Sequence, residues 1–508
     1  MTMEDTKIGI ITGGSIVSLT ASCESDVELG SFVVIHDGAR KFWGTITELS
    51  HPQVPAELAS MPLTGSRFQP EAAINLKRMS TDGGDPIPVK QLPSLGSEMH
   101  GADQTDIEML FGSSAPPNWV IGTMGGGHNL PINLEKLVQR PMGFFGATGT
   151  GKSFTVKVVM AGLIQNRVGG NLIFDFHGDY TVLKDMFPSQ VRLVTLGSGM
   201  TGDRQPDFNL EISPETITPR DILNMSTLLN MTDNAYLVLQ GAVAHFGDRW
   251  FKSFTGLNPH KILDPDKVPL PGSLAHFANL TFLHPASVRS TWGKLQGVAN
   301  KGYIHQNKSL TNMIDSLENG KTVIVNFGRY ETDMDLILVS NILSRLIRSR
   351  WVEKTNEFRS GQSSQPPTPL TIWLEEAHKL LNSEVARQTT FGILAREMRK
   401  FGVTLGVIDQ RPSEIDPDVM SQIGTRISGW LGDSSDIRGT LAGISDRGLS
   451  EQLARLAPKQ EAVIMGWGVP IPVIVKVRDF FQLQKDLKGK SIKNTQSAED
   501  SIKELGFA

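Results

Sequence analysis

Residues 146–153 read Gly-Ala-Thr-Gly-Thr-Gly-Lys-Ser, a complete G-x-x-x-x-G-K-S phosphate loop. This run constrains the fold more than any other, because it works only between a buried strand and the first turn of a helix. Gly146, Gly149 and Gly151 allow positive-φ turns that aim successive backbone N–H groups at one point, where the helix dipole favours an anion. Lys152 would reach the β- and γ-phosphates, and the Ser153 hydroxyl would ligate Mg²⁺. The flanks fit. Met142-Gly143-Phe144-Phe145 is short and apolar, and from Phe154 to Ile164 apolar residues recur at helical spacing. The expected nucleotide contacts are Gly146, Ala147, Thr148, Gly149, Thr150, Gly151, Lys152, Ser153 and Phe154, with ATP and Mg²⁺ as cofactors.

A chain of 508 residues has room for two to four domains, and 39% hydrophobic with 20% charged residues is a globular balance. The net charge of −4 argues against a surface that binds nucleic acid all over, while leaving room for a local basic ring. A single cysteine, Cys23, excludes a disulfide framework and a multi-cysteine zinc site. No run of 18 apolar residues occurs, so no membrane span is expected. The polar start lacks a signal-peptide pattern, and the expected location is cytoplasmic.

Residues 1–100 are expected to form an all-β domain, a small barrel or a sandwich. The β-rich runs 8–11, 15–19, 31–35 and 42–49 are separated by Gly-Gly, Glu-Leu-Gly and Asp-Gly-Ala-Arg turn signals. Residues 101–117, ending Ser-Ser-Ala-Pro-Pro, read as a linker. From 118 to 482, strand and helix patterns alternate, which predicts an α/β core with a mostly parallel sheet flanked by helices. Its strands are expected at 142–145, 171–175, 191–196, 322–327, 370–374 and 403–409, with more at 426–431, 461–466 and 471–477. About 215–320 reads as an inserted helical subdomain, opening at Thr218-Pro219, a cap followed by proline at the first helical position. Leu336, Leu338, Val339, Ile342, Leu343, Leu346 and Ile347 form the stripe of a long amphipathic helix, followed by a polar loop at 354–369. The Lys-rich tail, 483–508, is either free or a brace on a neighbour.

The strand Leu370-Thr371-Ile372-Trp373-Leu374 ends in Glu375-Glu376-Ala377-His378. In phosphate-loop ATPases the first such acid joins the Mg²⁺ shell and the second orients or deprotonates the attacking water, so Glu375 is a metal candidate and Glu376 the candidate base. Acids at a strand end also suit the start of a helix. Gln410, at the tip of the 403–409 strand, is the candidate γ-phosphate sensor. Arg396 and Arg399, three apart on a helix, could supply an arginine finger to a neighbouring copy or form a solvated cationic helix end. Asp175 is placed at the carboxyl edge of the sheet, where ligands bind in open α/β folds. His177 reads as a turn residue. His378 either links the site to a neighbouring element or caps a turn.

Taken together, these motifs resemble the HerA family of hexameric DNA translocases, within the HerA/FtsK branch of RecA-like ATPases. The matching pieces are 146–153, Asp175-x-His177-Gly178-Asp179-Tyr180, Ile372-x-Leu374-Glu375-Glu376-Ala377-His378 and Ala395-Arg396-Glu397-x-Arg399-Lys400-x-Gly402, followed by Gln410-Arg411-Pro412. The all-β start resembles the family's barrel. The resemblance implies a RecA-like core, a homo-hexamer with ATP at each subunit interface, and double-stranded DNA pumped through the pore. It also implies a partner, either a NurA-like nuclease or an effector of anti-phage defence. Met398 stands where many relatives carry glycine, and Asp179 replaces a commoner glutamate; both departures are mild. The competing readings are a nucleotide-switched scaffold that holds effectors without moving DNA, and a small-molecule kinase using the same loop.

Overall fold

In the computed structural model the described residues are 7–52, 69–197, 204–260, 269–388, 390–444 and 448–488. The expected tail therefore lies outside them from 489 onward.

Apolar residues that alternate with polar ones along the first hundred positions build a closed barrel. Its strands are β1 (Lys7–Ser15), β2 (Ser18–Cys23), β3 (Phe32–Asp37), β4 (Arg40–Ser50), β5 (Glu71–Thr81), a short β6 (Ile87–Pro88) and β7 (Glu98–Gly101). They run in the order β2-β1-β7-β3-β4-β5, and β2 pairs with β5 to close the ring. Ile11, Leu19, Val33, Ile35, Phe42, Ile74 and Met99 fill the interior. At six strands a barrel has room for little beyond its own side chains. Sequence reasoning put a turn at Gly13-Gly14. Both glycines instead stay within β1 across a register shift, and the chain reverses at Ile16-Val17, where Val17 is half exposed. The register shift leaves Thr12 as the extra residue while both glycines stay paired, so the break they signal need not be a chain reversal.

Residues 101–117, read as a linker, contain the helix Gln104–Phe111. Asp103 caps it in a reciprocal box with Asp106, and Asp106 also pairs with Lys41 of β4 at 2.8 Å. Twelve further strands follow among the described residues: β8 (Asn118–Thr123), β9 (Asn129–Asn133), β10 (Met142–Phe145), β11 (Gly170–Asp175), β12 (Val191–Leu196), β13 (Phe208–Leu210), β14 (Thr322–Asn326), β15 (Leu370–Leu374), β16 (Val403–Asp409), β17 (Thr425–Ser428), β18 (Glu461–Gly466) and β19 (Val473–Val477). The chain divides into two compact units, 1–166 with 407–508 and 167–406.

In the first unit β10 and β17 are parallel, while β17-β18-β19-β8-β9 continue antiparallel. In the second, β13-β12-β14-β11-β15 are all parallel. β11, β14 and β15 are buried along their whole length, as strands covered on both faces must be. Their polar side chains bond across the sheet: Trp373 Nε1 donates to Asn171 Oδ1 at 3.0 Å, and Asn171 Nδ2 donates to Thr322 Oγ1 at 3.2 Å. This satisfies polar groups that would otherwise be costly to bury.

The helical insertion belongs to the second unit. Thr218 caps the helix Pro219–Leu223, with proline at the first position as expected. The helices Asn234–Phe246, Trp250–Thr255 and Leu274–Thr281 meet through Phe246, Phe254 and Phe277, with ring centroids 5.2–5.7 Å apart. The long helix runs Asp333–Arg359, so the loop expected from 354 begins only after 359. Its charged last turns lack a periodic apolar signal, yet Lys354 and Arg350 both pair with Glu318, and Arg359 donates to the Lys400 carbonyl. Ion pairs to neighbouring elements extend the helix where hydrophobic spacing stops. Among the described residues no helix is long and apolar enough to cross a membrane.

Candidate functional site

In the first unit, β10 delivers the chain into the phosphate loop. Gly429 N donates to Phe145 O at 2.9 Å, which fixes the strand end against β17. Gly146, Gly149 and Gly151 then adopt φ of 153°, 76° and 91°, values that an L side chain resists by about 1–2 kcal/mol each. Thr150 is buried, and both its amide and its hydroxyl donate to Ala147 O, at 3.2 and 2.7 Å. Lys459 N donates to Thr150 O at 3.0 Å, and Ala147 N to Trp430 O at 3.1 Å. The loop is thus tied to 429–430 and 459, while Thr148 and Gly149 at its crest stay exposed.

The helix Lys152–Gln165 begins at Gly151, and Thr155–Ile164 are all buried. A helix apolar all round is held in place on every side, so its N-terminal amides are rigidly aimed. Lys152 and Ser153, on its first turn, are partly exposed. This arrangement fits a triphosphate: backbone donors, a helix N-terminus and a lysine converge on one exposed crest. Phe154 differs from the expectation of a nucleotide contact in what its ring does. It packs on Phe481 at 5.3 Å and under Lys157 at 5.1 Å. Gln410, just beyond β16, accepts a hydrogen bond from the Thr148 hydroxyl, which places it at the loop crest.

In the second unit, β11 and β15 end side by side in acids. Asp175 has no exposed surface; its two oxygens accept from the amides of Asp179, at 3.0 Å, and Tyr180, at 3.1 Å. The carboxylate expected to face a ligand is instead committed to holding the 176–180 turn. Burial, reinforced by the charge of Glu375, pushes the Asp175 carboxyl up to about 8. Glu375 is 6% exposed and accepts from Phe176 N at 3.1 Å. Burial also raises its affinity for a proton, opposed by nearby His177 and increased by Asp179 and Glu376. His177 is an exposed turn residue.

Glu376 is partly exposed and has φ +45°, a left-handed conformation that is unusual for a non-glycine residue. The strand stops there because the backbone swings out, and the helix His378–Leu381 follows directly. His378 Nδ1 stands 3.7 Å from the Glu376 carboxylate. Arg396 lies at the end of the helix Thr390–Glu397. Arg399 falls in the 3₁₀ turn Met398–Phe401, so the single helix read from sequence is two segments, tightened around fully buried Met398. Both arginines are exposed. Among the described residues no cluster of three or more His, Cys, Asp or Glu could hold a metal ion on its own.

Sequence reasoning missed Thr148 as the partner of Gln410, because 262 positions separate them. It also missed Lys459 and Trp430, whose backbone contacts brace the loop and carry no side-chain signature.

Residues 119–347 match the family described as helicase HerA, central domain. The DNA double-strand break repair helicase HerA of Saccharolobus solfataricus is 24% identical over 90% of this chain and 89% of its own length. The chain is similar to HerA helicases along most of its length. A second HerA, from Sulfolobus acidocaldarius, is 26% identical across 93% of both chains. Among solved structures, VirB4 of Thermoanaerobacter pseudethanolicus is similar with a TM-score of 0.44 and 14% identity, covering 71% of this chain and 96% of that one. The matched range, 119–347, includes the phosphate loop, β11–β14 and the helical insertion.

Proposed function

We propose that this chain is an ATP-driven translocase of double-stranded DNA that works as a homo-hexamer. The observation that carries the reading is the phosphate loop: three positive-φ glycines and Lys152 at the head of a helix buried on all sides, in a chain similar to HerA helicases. Relatives that match nearly end to end are named as repair helicases, which supports DNA as the substrate.

Gly146 to Ser153 bind the triphosphate, and Lys152 neutralises its outer charge. Ser153 and Glu375 would hold the magnesium ion, which would supply charge neutralisation at the phosphates. Glu376 orients and deprotonates the water. Its partial exposure and the nearby imidazole of His378 suit a group that must exchange a proton. Gln410 reports the γ-phosphate, released from Thr148 as it does so. Asp175 positions the turn beside Glu375. The Arg396 and Arg399 side chains are exposed, which supports one of them serving the site of a neighbouring copy. A nuclease or defence effector is the expected companion, because a translocase alone modifies nothing.

The test is the ATP hydrolysis rate with and without linear duplex DNA, on protein whose mass in solution has been measured. Stimulation by DNA at a mass of six copies is expected. A rate indifferent to DNA would overturn the motor in favour of a nucleotide-switched scaffold.

A further inference from the structure

At the edge of the first unit's sheet away from the phosphate loop, Trp467 is 41% exposed and two cations lie over its ring. The Arg140 guanidinium is 3.9 Å from the ring centroid and the Lys136 ammonium 5.5 Å. The residues come from three stretches of chain. Lys136 sits on the short helix Leu134–Val138, Arg140 just before β10, and Trp467 in the turn after β18.

The patch is built into the backbone. Trp467 N donates to Gly424 O at 2.7 Å, and Gly424 N to Pro141 O at 2.8 Å. A Cβ on Gly424 would come within 2.8 Å of the Arg140 Cβ and Cδ, so only glycine leaves room for the arginine stem to lie there. Arg78 of β5 donates to Pro470 O at 2.9 Å, bringing a third cation to the same turn. No described carboxylate pairs with Lys136 or Arg140, in a chain where acids outnumber bases by 53 to 49. A guanidinium held over an indole face gains cation–π attraction while its N–H groups can still serve planar acceptors.

The geometry points to the Lys136–Arg140–Trp467 patch as a phosphate-backbone contact for duplex DNA, separate from the nucleotide loop. The two places stand at opposite ends of β10, about 13 Å apart along its four residues. The inference rests on the translocase reading and adds a residue-level contact to it. Two partly exposed cations with no described carboxylate partner, on an aromatic platform, suit a sequence-independent grip, since phosphates are the same at every base pair. The exposed indole edge adds sugar or backbone packing beside them.

The test is binding of fluorescent linear duplex DNA to the full chain with a non-hydrolysable ATP analogue, titrated across salt. Wild type is compared with K136Q/R140Q and, separately, W467F. Both cations are surface groups, and the melting temperature checks that the fold is intact. K136Q/R140Q is expected to weaken binding severalfold for unrelated sequences and to reduce the log–log salt slope by about 2, one per lost phosphate contact. Basal ATP hydrolysis without DNA should stay unchanged, and W467F should fall in between. A folded double variant with wild-type affinity and slope overturns this assignment and leaves the translocase reading standing. Loss of binding to poly-glutamate but not to DNA would overturn it too, pointing instead to an acidic protein. Wild type that fails to bind duplex at any salt overturns the translocase reading itself.

Discussion

At the scale of single residues, the phosphate loop and the acids of β15 carry separate tests. Lys152→Ala removes the one side-chain charge at the loop, and a charge-assisted contact of this kind contributes about 1.5–3 kcal/mol. ATP affinity should fall roughly 10- to 100-fold, measured with a fluorescent nucleotide; unchanged affinity would remove Lys152 from the site. Glu376→Gln should bind ATP normally and hydrolyse it about 10²–10⁴-fold more slowly, the range for a positioned proton acceptor. The left-handed backbone at Glu376 marks it as a residue the fold retains at some conformational cost.

Asp175 gives a pH signature. Burial lifts its carboxyl to about 8, well above the unfolded value, so the folded state holds a proton that the unfolded chain has released. Stability therefore falls as pH rises between the unfolded and folded values, and the loss is complete above about 8. Thermal melting should be higher at pH 6 than at pH 8, and Asp175→Asn should flatten that difference. An unchanged slope in the variant would assign the pH dependence elsewhere.

At the scale of elements, one buried carboxylate joins the helical insertion to the long helix. Asp221 has almost no exposed surface. It accepts from Asn341 Nδ2 at 2.9 Å and from Arg345 Nη2 at 2.8 Å, while Arg345 also donates to Thr216 O at 2.7 Å. Asn341 Oδ1 in turn accepts from Thr390 N, at the head of the helix that carries Arg396 in its last turn. Asp221→Ala leaves a guanidinium and an amide without their acceptor, and partial exposure of Arg345 softens the loss to about 2–4 kcal/mol. Chemical denaturation should register it. A loss below 1 kcal/mol would mean that the insertion is held by its aromatic core instead.

At the scale of the whole molecule, the exposed arginines carry the prediction. Arg396→Ala should reduce ATP turnover about 10³–10⁵-fold if its guanidinium completes a neighbour's site. Mixing the variant with Lys152→Ala chains should then restore part of the activity, because each supplies what the other lacks. Failure of rescue at every ratio would argue against a role in trans, and the same experiment on Arg399 decides between the two.

Read alone, the amino-acid sequence determined whatever depends on near neighbours: the glycines, lysine and serine of the phosphate loop, the acid pair at the end of β15, the Thr218-Pro219 cap and the buried parallel strands. Each is a local pattern, where residue type and spacing act within one or two turns of chain. Tertiary structure decided the rest. It set Thr148 against Gln410, extended the long helix through Lys354 and Glu318, committed Asp175 to a turn and placed Arg140 on Trp467. Apart from the Asp175 turn, these contacts join residues tens to hundreds of positions apart. Spacing along a chain says nothing about which side chains folding will bring within a few ångströms of one another, or which carboxylates it will take out of water.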